Sequence, residues 1–425
     1  MTFNCTRWLV ATAAAYLALQ GTNFGTFWKS ATYIGMLLLV MCVVIDADAR
    51  RELRPPAPPL IVVVPFLFWI GWSALTWWWS IDPDFTRHEL KGEALDLALM
   101  ATLFYVVPFT TSAWRLIIGS SIGAFALLGL LAVVLAVLPW GWNADRFHGG
   151  IGPYSTYLVQ TAPLLLWLVV PAPAGYGGGV RRVLAATGLL IVLIADARLT
   201  SNRNVWIALL ALMLVLPLGA VRWRHSVRWR EWALPLVGIA IILALGFADT
   251  LRKRTEQNYA PDTPVSQVIA VDPRIALWSL TWEKIRQRPL VGYGAGKTIL
   301  APELRRDLGD PLLTHAHNVF ISQWLQKGAV GLAAFALTLL ALAGVFAQFL
   351  RSRDDVLAAI GFTGIGILTG MIVKNLTDDF LFGTNGRQFW CLMALLVGYG
   401  VRRQRAALRD GLTPVLPVPV TGSAG

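Results

Sequence analysis

Leu313-Thr314-His315-Ala316-His317-Asn318 closes the long hydrophilic interruption, roughly Asp249 to Lys327, of a chain that is otherwise almost entirely membrane-grade. The next apolar run begins almost at once, so two of the five histidines stand at the edge of an expected membrane span. Ionisable groups in or beside a bilayer are costly unless a cavity, a partner or a ligand accepts them. That makes the interruption the candidate functional region and the apolar runs around it the scaffold.

Working outward, the 425 residues are 56% hydrophobic and 14% charged, with a mean hydropathy of +0.60. Soluble domains carry about a quarter charged residues, so the chain reads as an all-α polytopic membrane protein. A span needs about 20 mainly apolar residues. On that ruler twelve runs qualify: 8–23, 27–45, 60–79, 94–110, 116–138, 154–171, 183–199, 204–220, 232–248, 328–350, 356–373 and 387–401. Many of the 19 tryptophans fall where spans should meet headgroups, among them Trp77, Trp78, Trp79, Trp140, Trp142, Trp223, Trp229 and Trp232. Met1 to Arg7 lacks the pattern of a cleaved signal and reads as a retained stub. Cys5, Cys42 and Cys391 are too far apart for a disulfide framework or a metal-type spacing.

With the N-terminus inside, the cytoplasmic connections hold 17 of the 36 Lys and Arg residues, and the short outer loops hold 8. The remaining 11 lie in the long segment, which the positive-inside rule does not count. Both termini are therefore expected inside and the long segment outside. The chain then divides into 1–248 with nine spans, 249–327 outside, 328–401 with three spans and a disordered cytoplasmic tail, 402–425. The net charge of +12 is largely what this topology requires, so membrane lipids are expected partners and nucleic acid is not. Pro55 to Pro59 reads as a stiff connector, Gly175 to Gly179 as a flexible one.

Within the outer segment, Asp272-Pro273 places an N-cap and a first-turn proline before a helical run that Pro289 ends. Ile275, Trp278, Trp282 and Ile285 recur at helical spacing and predict an apolar face. Gly292-Tyr293-Gly294-Ala295-Gly296 resembles a nucleotide loop only superficially, because it follows a helix and lacks the spacing.

Four constellations are candidates for chemistry. Arg198 and Arg203 flank a polar patch joining two apolar runs; they either snorkel to headgroup phosphates or clamp a phosphate with their planar forks. Arg274, in the first turn of the outer helix, adds a fixed charge where backbone N–H groups already favour an anion. His315 and His317 make a poor metal set, with no nearby cysteine, so no metal is expected; a histidine there can instead take a proton from a hydroxyl, with Asn318 placed to orient the ring. Lys374-Asn375-Leu376-Thr377-Asp378-Asp379-Phe380 supplies two acids that cannot share one pocket if the backbone is helical.

The order Ser201-Asn202-Arg203-x-x-Trp206, then Arg274-x-x-x-Trp278, then His317-Asn318 followed after ten residues by Gly328, resembles the O-antigen ligases of the polymerase/ligase superfamily. The resemblance implies a glycosyltransferase C-type fold with a large periplasmic helical segment between the ninth and tenth spans, in the inner membrane of a Gram-negative bacterium. It implies transfer of O-antigen from undecaprenyl diphosphate to a lipid A core sugar, without cofactor or metal. Arg203 and Arg274 would hold the diphosphate and His317 would activate the acceptor hydroxyl, while His315, Asn318, Arg198, Asp378 and Asp379 are possible supporting residues. Asn202 departs from the serine that many members carry before the arginine. A polymerase or a protein O-oligosaccharyltransferase of the same superfamily is the alternative, and a lipid-linked glycan transporter the non-enzymatic one.

Overall fold

The structure, a computed structural model, describes residues 4–23, 26–139, 141–168, 180–215, 217–219, 229–258, 273–309 and 314–409. The connector at Gly175 to Gly179, Arg222 to Arg228, the N-cap Asp272 and the tail from 410 lie outside these residues. The described residues are mainly helical, with no strand, and the described part of each of the twelve apolar runs lies mostly in helix. Five helices are long and apolar enough to cross a membrane: Thr26–Ile45, Leu60–Trp79, Thr111–Val137, Val319–Leu350 and Asp355–Asn375; Cys5–Leu19 and Arg203–Gly219 are shorter apolar helices. A multi-pass membrane protein follows from length and composition, since only helices or closed barrels satisfy every backbone group in lipid.

The Val319–Leu350 and Asp355–Asn375 helices form the central pair. Side chains at Gly361 and Gly364 would collide with Phe346 and Leu350, so these glycines let the helices approach closely. The Arg203–Met213 helix packs on Asp355–Asn375, Leu60–Leu75 on Val319–Leu350, and Asp96–Val106 on Gly383–Arg409. One large apolar core, including Trp206, Phe335, Phe346 and Trp390, runs through these contacts.

The tenth run begins earlier than its apolarity suggests. Helix starts at Val319, capped by the Asn318 side chain, which accepts from the N–H groups of Phe320 and Ile321. It breaks at Gly328, whose φ of 67° and ψ of −176° open the ladder for one residue. The carbonyls freed there are taken up by the glycine-rich stretch. Tyr293 N–H donates to Leu325 O at 3.1 Å and Gly294 N–H to Gln326 O at 3.0 Å, while Ala329 N–H donates to Pro289 O at 2.8 Å. Trp72 Nε1 takes Lys327 O at 2.8 Å. Ala295 N–H goes to Thr76 Oγ1 and Gly296 N–H to Gln326 Oε1. With its successive N–H groups spent inside the protein, 293–296 is a strap over the kink and leaves no cradle for a phosphate.

A methyl group at Gly328 would overlap the Leu290 carbonyl, and the left-handed φ disfavours any side chain. Gly328→Ala is therefore expected to cost about 1–3 kcal/mol in backbone strain alone. A lower Tm in detergent checks this; an unchanged Tm would show that the kink relaxes at no cost.

The outer helix runs from Pro273 to Gln287, but its buried face differs from expectation. Ile275 and Trp282 are exposed, and the buried stripe is Leu277, Thr281 and Ile285. That stripe meets Tyr293, Ile299, Leu300, Leu304 and Leu325 in a small second core. The helix takes this orientation because it packs on the start of the Val319–Leu350 helix and on the Ala301–Leu308 helix.

Candidate functional site

Two turns define the site, and both rest on a residue in the left-handed region followed by an asparagine cap. Ser201 has φ 48° and precedes Asn202, which caps the Arg203–Met213 helix; His317 has φ 49° and precedes Asn318, which caps the kinked helix. Such non-glycine residues store strain that the surroundings must hold. The Asn318 amide donates to Leu376 O at 2.8 Å, so this side chain fixes two backbones and does not orient the imidazole, the role the sequence suggested for it.

Trp278, one turn beyond Arg274, donates through Nε1 to the carbonyl of Ala316 at 2.7 Å. This bond ties the outer helix to the turn between the two histidines, whose rings lie 4.0 Å apart. Arg274 also comes close enough for its charge to act on Lys374.

Asp378 is the hub. Its Oδ2 accepts from Lys374 Nζ at 2.6 Å and from Asn204 Nδ2 at 3.2 Å, and its Oδ1 faces His317 Nδ1 at 3.9 Å. The last distance is a charge contact and not a hydrogen bond. His317 Nδ1 is buried with no other partner, which leaves Nε2 as the accessible ring nitrogen. Burial alone would push the Asp378 carboxyl up, but His317 opposite and the Lys374 and Asn204 bonds hold it well below the usual range. It stays ionised, with its negative charge facing the imidazole. Burial, helped by Lys297 and His317, pushes His315 down to about 2, so His315 remains a neutral ring against which His317 packs.

Of the residues expected from sequence, His315, His317, Asn318, Asp378 and Arg274 meet at this point, and Arg203 neighbours it through Asn204. Arg198 is drawn elsewhere, to Asp249 at 2.6 Å on the exposed side. Asp378 and Asp379 diverge because the helix ends at Asn375: Asp378 turns to His317, while Asp379 lines a crevice with Lys297 and Lys327. Asn204 and Lys374 gained no site role from sequence, and Lys297, whose Nζ donates to the Asp379 carbonyl at 2.6 Å, passed unnoticed behind the glycines. Their one local signal is a fully buried lysine four residues before an acid.

The arrangement offers a base with one accessible nitrogen, a carboxylate behind it and two arginine-bearing helices at its flanks. That set can take a proton from a hydroxyl and neutralise a departing anion. No curated protein matches the chain. Residues 188–336, from the helix before Arg203 through the outer helix and strap to beyond Gly328, match a family model described as O-antigen ligase. That stretch, about a third of the chain, holds the turns at Ser201 and His317 and is similar to the O-antigen ligase family, while the Lys374–Asp379 turn lies beyond it.

Proposed function

We propose that the protein transfers O-antigen from undecaprenyl diphosphate to a hydroxyl of a lipid A core sugar, at the periplasmic face of the inner membrane with both termini cytoplasmic. The observation that carries this reading is the joining of both arginine-bearing helices to the His317 turn, through Trp278 to Ala316 and through Asn204 to Asp378. The donor's lipid stays in the bilayer while its diphosphate lies between Arg203 and Arg274, whose guanidiniums present paired N–H groups to phosphate oxygens. The acceptor hydroxyl gives its proton to His317 Nε2 as its oxygen bonds to the anomeric carbon with inversion. The bond from that carbon to the phosphate oxygen breaks, and its electron pair leaves as charge on the lipid diphosphate. Asp378 stabilises the imidazolium, and the arginines stabilise the leaving charge without a metal.

The test is transfer by purified protein in EDTA, from undecaprenyl-diphosphate glycan to lipid A core. Arg203→Ala and Arg274→Ala are each expected to lose about 100-fold or more in rate, with unaltered yield of folded protein. Normal transfer by either variant removes that arginine from the mechanism. Growth of the lipid-linked glycan with lipid A core unmodified would make the protein a polymerase.

A further inference from the structure

Beside the Asp378–Asp379 turn lies a second polar crevice, about 440 Å3 counted out to its mouth. It is lined by Lys297, Lys327 and Arg387, with Glu93, Asp379, Gln323 and the ring of Trp69. Its lysines are unusually placed. Lys327 is 3% exposed, and its Nζ rests over the Trp69 ring at 4.5 Å. Lys297 Nζ lies 3.5 Å from the centre of the Phe382 ring and bonds only a backbone carbonyl. Arg387 bonds the Gly383 carbonyl through Nε. Among the described residues no carboxylate forms an ion pair with any of the three.

A buried cation without a counter-ion is expensive and is kept where something else neutralises it. Glu93 and Asp379 act on the lysines only through space, and the Oε1 atom of Glu93 is itself buried without a hydrogen-bond partner. Glu93 sits on a π-turn, Lys91–Leu95, a distortion often found at functional sites. Burial pushes its carboxyl up to about 7, against the pull of Lys327, and burial likewise raises Asp379. Burial also lowers Lys297, opposed by Asp379 and Glu93. Burial weakens acids and lysines alike, but the lining sets three cations, Lys297, Lys327 and Arg387, against the two carboxylates of Glu93 and Asp379.

We propose that this crevice is a second anion site, taking a phosphate-class group through Lys327, Lys297 and Arg387, separate from the Arg203 and Arg274 pair. Its role rests on the transferase reading, in which a second substrate must lie beside His317; its binding rests on the crevice alone. The space open to the centre of a water is now about 20 Å3, so the anion enters as the lysines swing off their rings to meet it. The phosphate belongs either to a bilayer lipid or to the second substrate.

The experiment is calorimetric titration of inorganic phosphate into delipidated full-length protein carrying Arg274→Ala, which weakens the arginine site. Saturable binding is expected, at least about tenfold weaker in Lys327→Met and in Arg387→Gln, the loss expected for one charged hydrogen bond. Glu93→Gln is expected to tighten it. Folding is followed by Tm, and if Lys327→Met fails to fold, Arg387→Gln carries the test. Displacement of phosphate by phosphatidylglycerol vesicles, and not by phosphatidylcholine vesicles, assigns the site to a lipid; no displacement by either assigns it to the substrate. Affinity unchanged in folded variants, or no saturable binding, overturns the site. Because the readout is binding, a protein that binds phosphate through Lys327 yet transfers no glycan would sink the transferase reading and leave this site standing.

Discussion

His317→Asn is expected to reduce glycan transfer by about 100- to 10,000-fold, the range for removing a positioned general base, while leaving the fold intact. Asparagine is the informative replacement because the residue sits at φ 49°. Asparagine tolerates the left-handed region better than alanine, so the turn and its cap at Asn318 should persist. The loss should fall on kcat, since no ground-state contact to the diphosphate is removed. A rate within a few-fold of wild type would take the base out of this side chain and put it on another group.

The second large effect concerns stability and activity together. Asp378→Ala deprives Lys374, whose side chain is 0% exposed, of its carboxylate at 2.6 Å. Breaking a buried pair from one side costs about 3–5 kcal/mol, because an uncompensated charge remains. The variant should therefore unfold at a markedly lower temperature. Replacing both partners, as Asp378→Leu with Lys374→Met, should recover most of that stability, because an apolar pair of similar volume is often neutral or better. It should not recover transfer, because the carboxylate that faces His317 is gone. If the double variant regains activity along with Tm, Asp378 is structural and has no part in proton transfer.

Much of the scaffold is legible in the chain, since a run of about 20 apolar residues has few other uses. The start of the kinked helix is not, because Gln323, Gln326 and Lys327 read as loop while the strap and Trp72 supply the contacts that keep them helical. The apolar face of the outer helix is legible only in part: Trp278 and Ile285 pack inward while Ile275 and Trp282 do not, because the partner decides which stripe is buried. His317, Arg203 and Arg274 are found from the spacing of a resemblance. The Asn204–Asp378 bond, which joins residues 174 apart, has no local trace, and neither does the cluster of Lys297, Lys327 and Arg387. Only folding brings those charges to one place.

The break at Gly328 also sets a height. At about 1.5 Å per residue, Ala329–Leu350 alone measures about 33 Å, enough for a hydrocarbon core of roughly 30 Å. The nine residues Val319–Lys327 add about 13 Å of helix before the break, held level with the middle of the Leu60–Trp79 helix by Trp69 to Gln323 and Trp72 to Lys327. The histidine turn caps that segment, so it is joined to the long apolar helix through a break and not along one continuous rod.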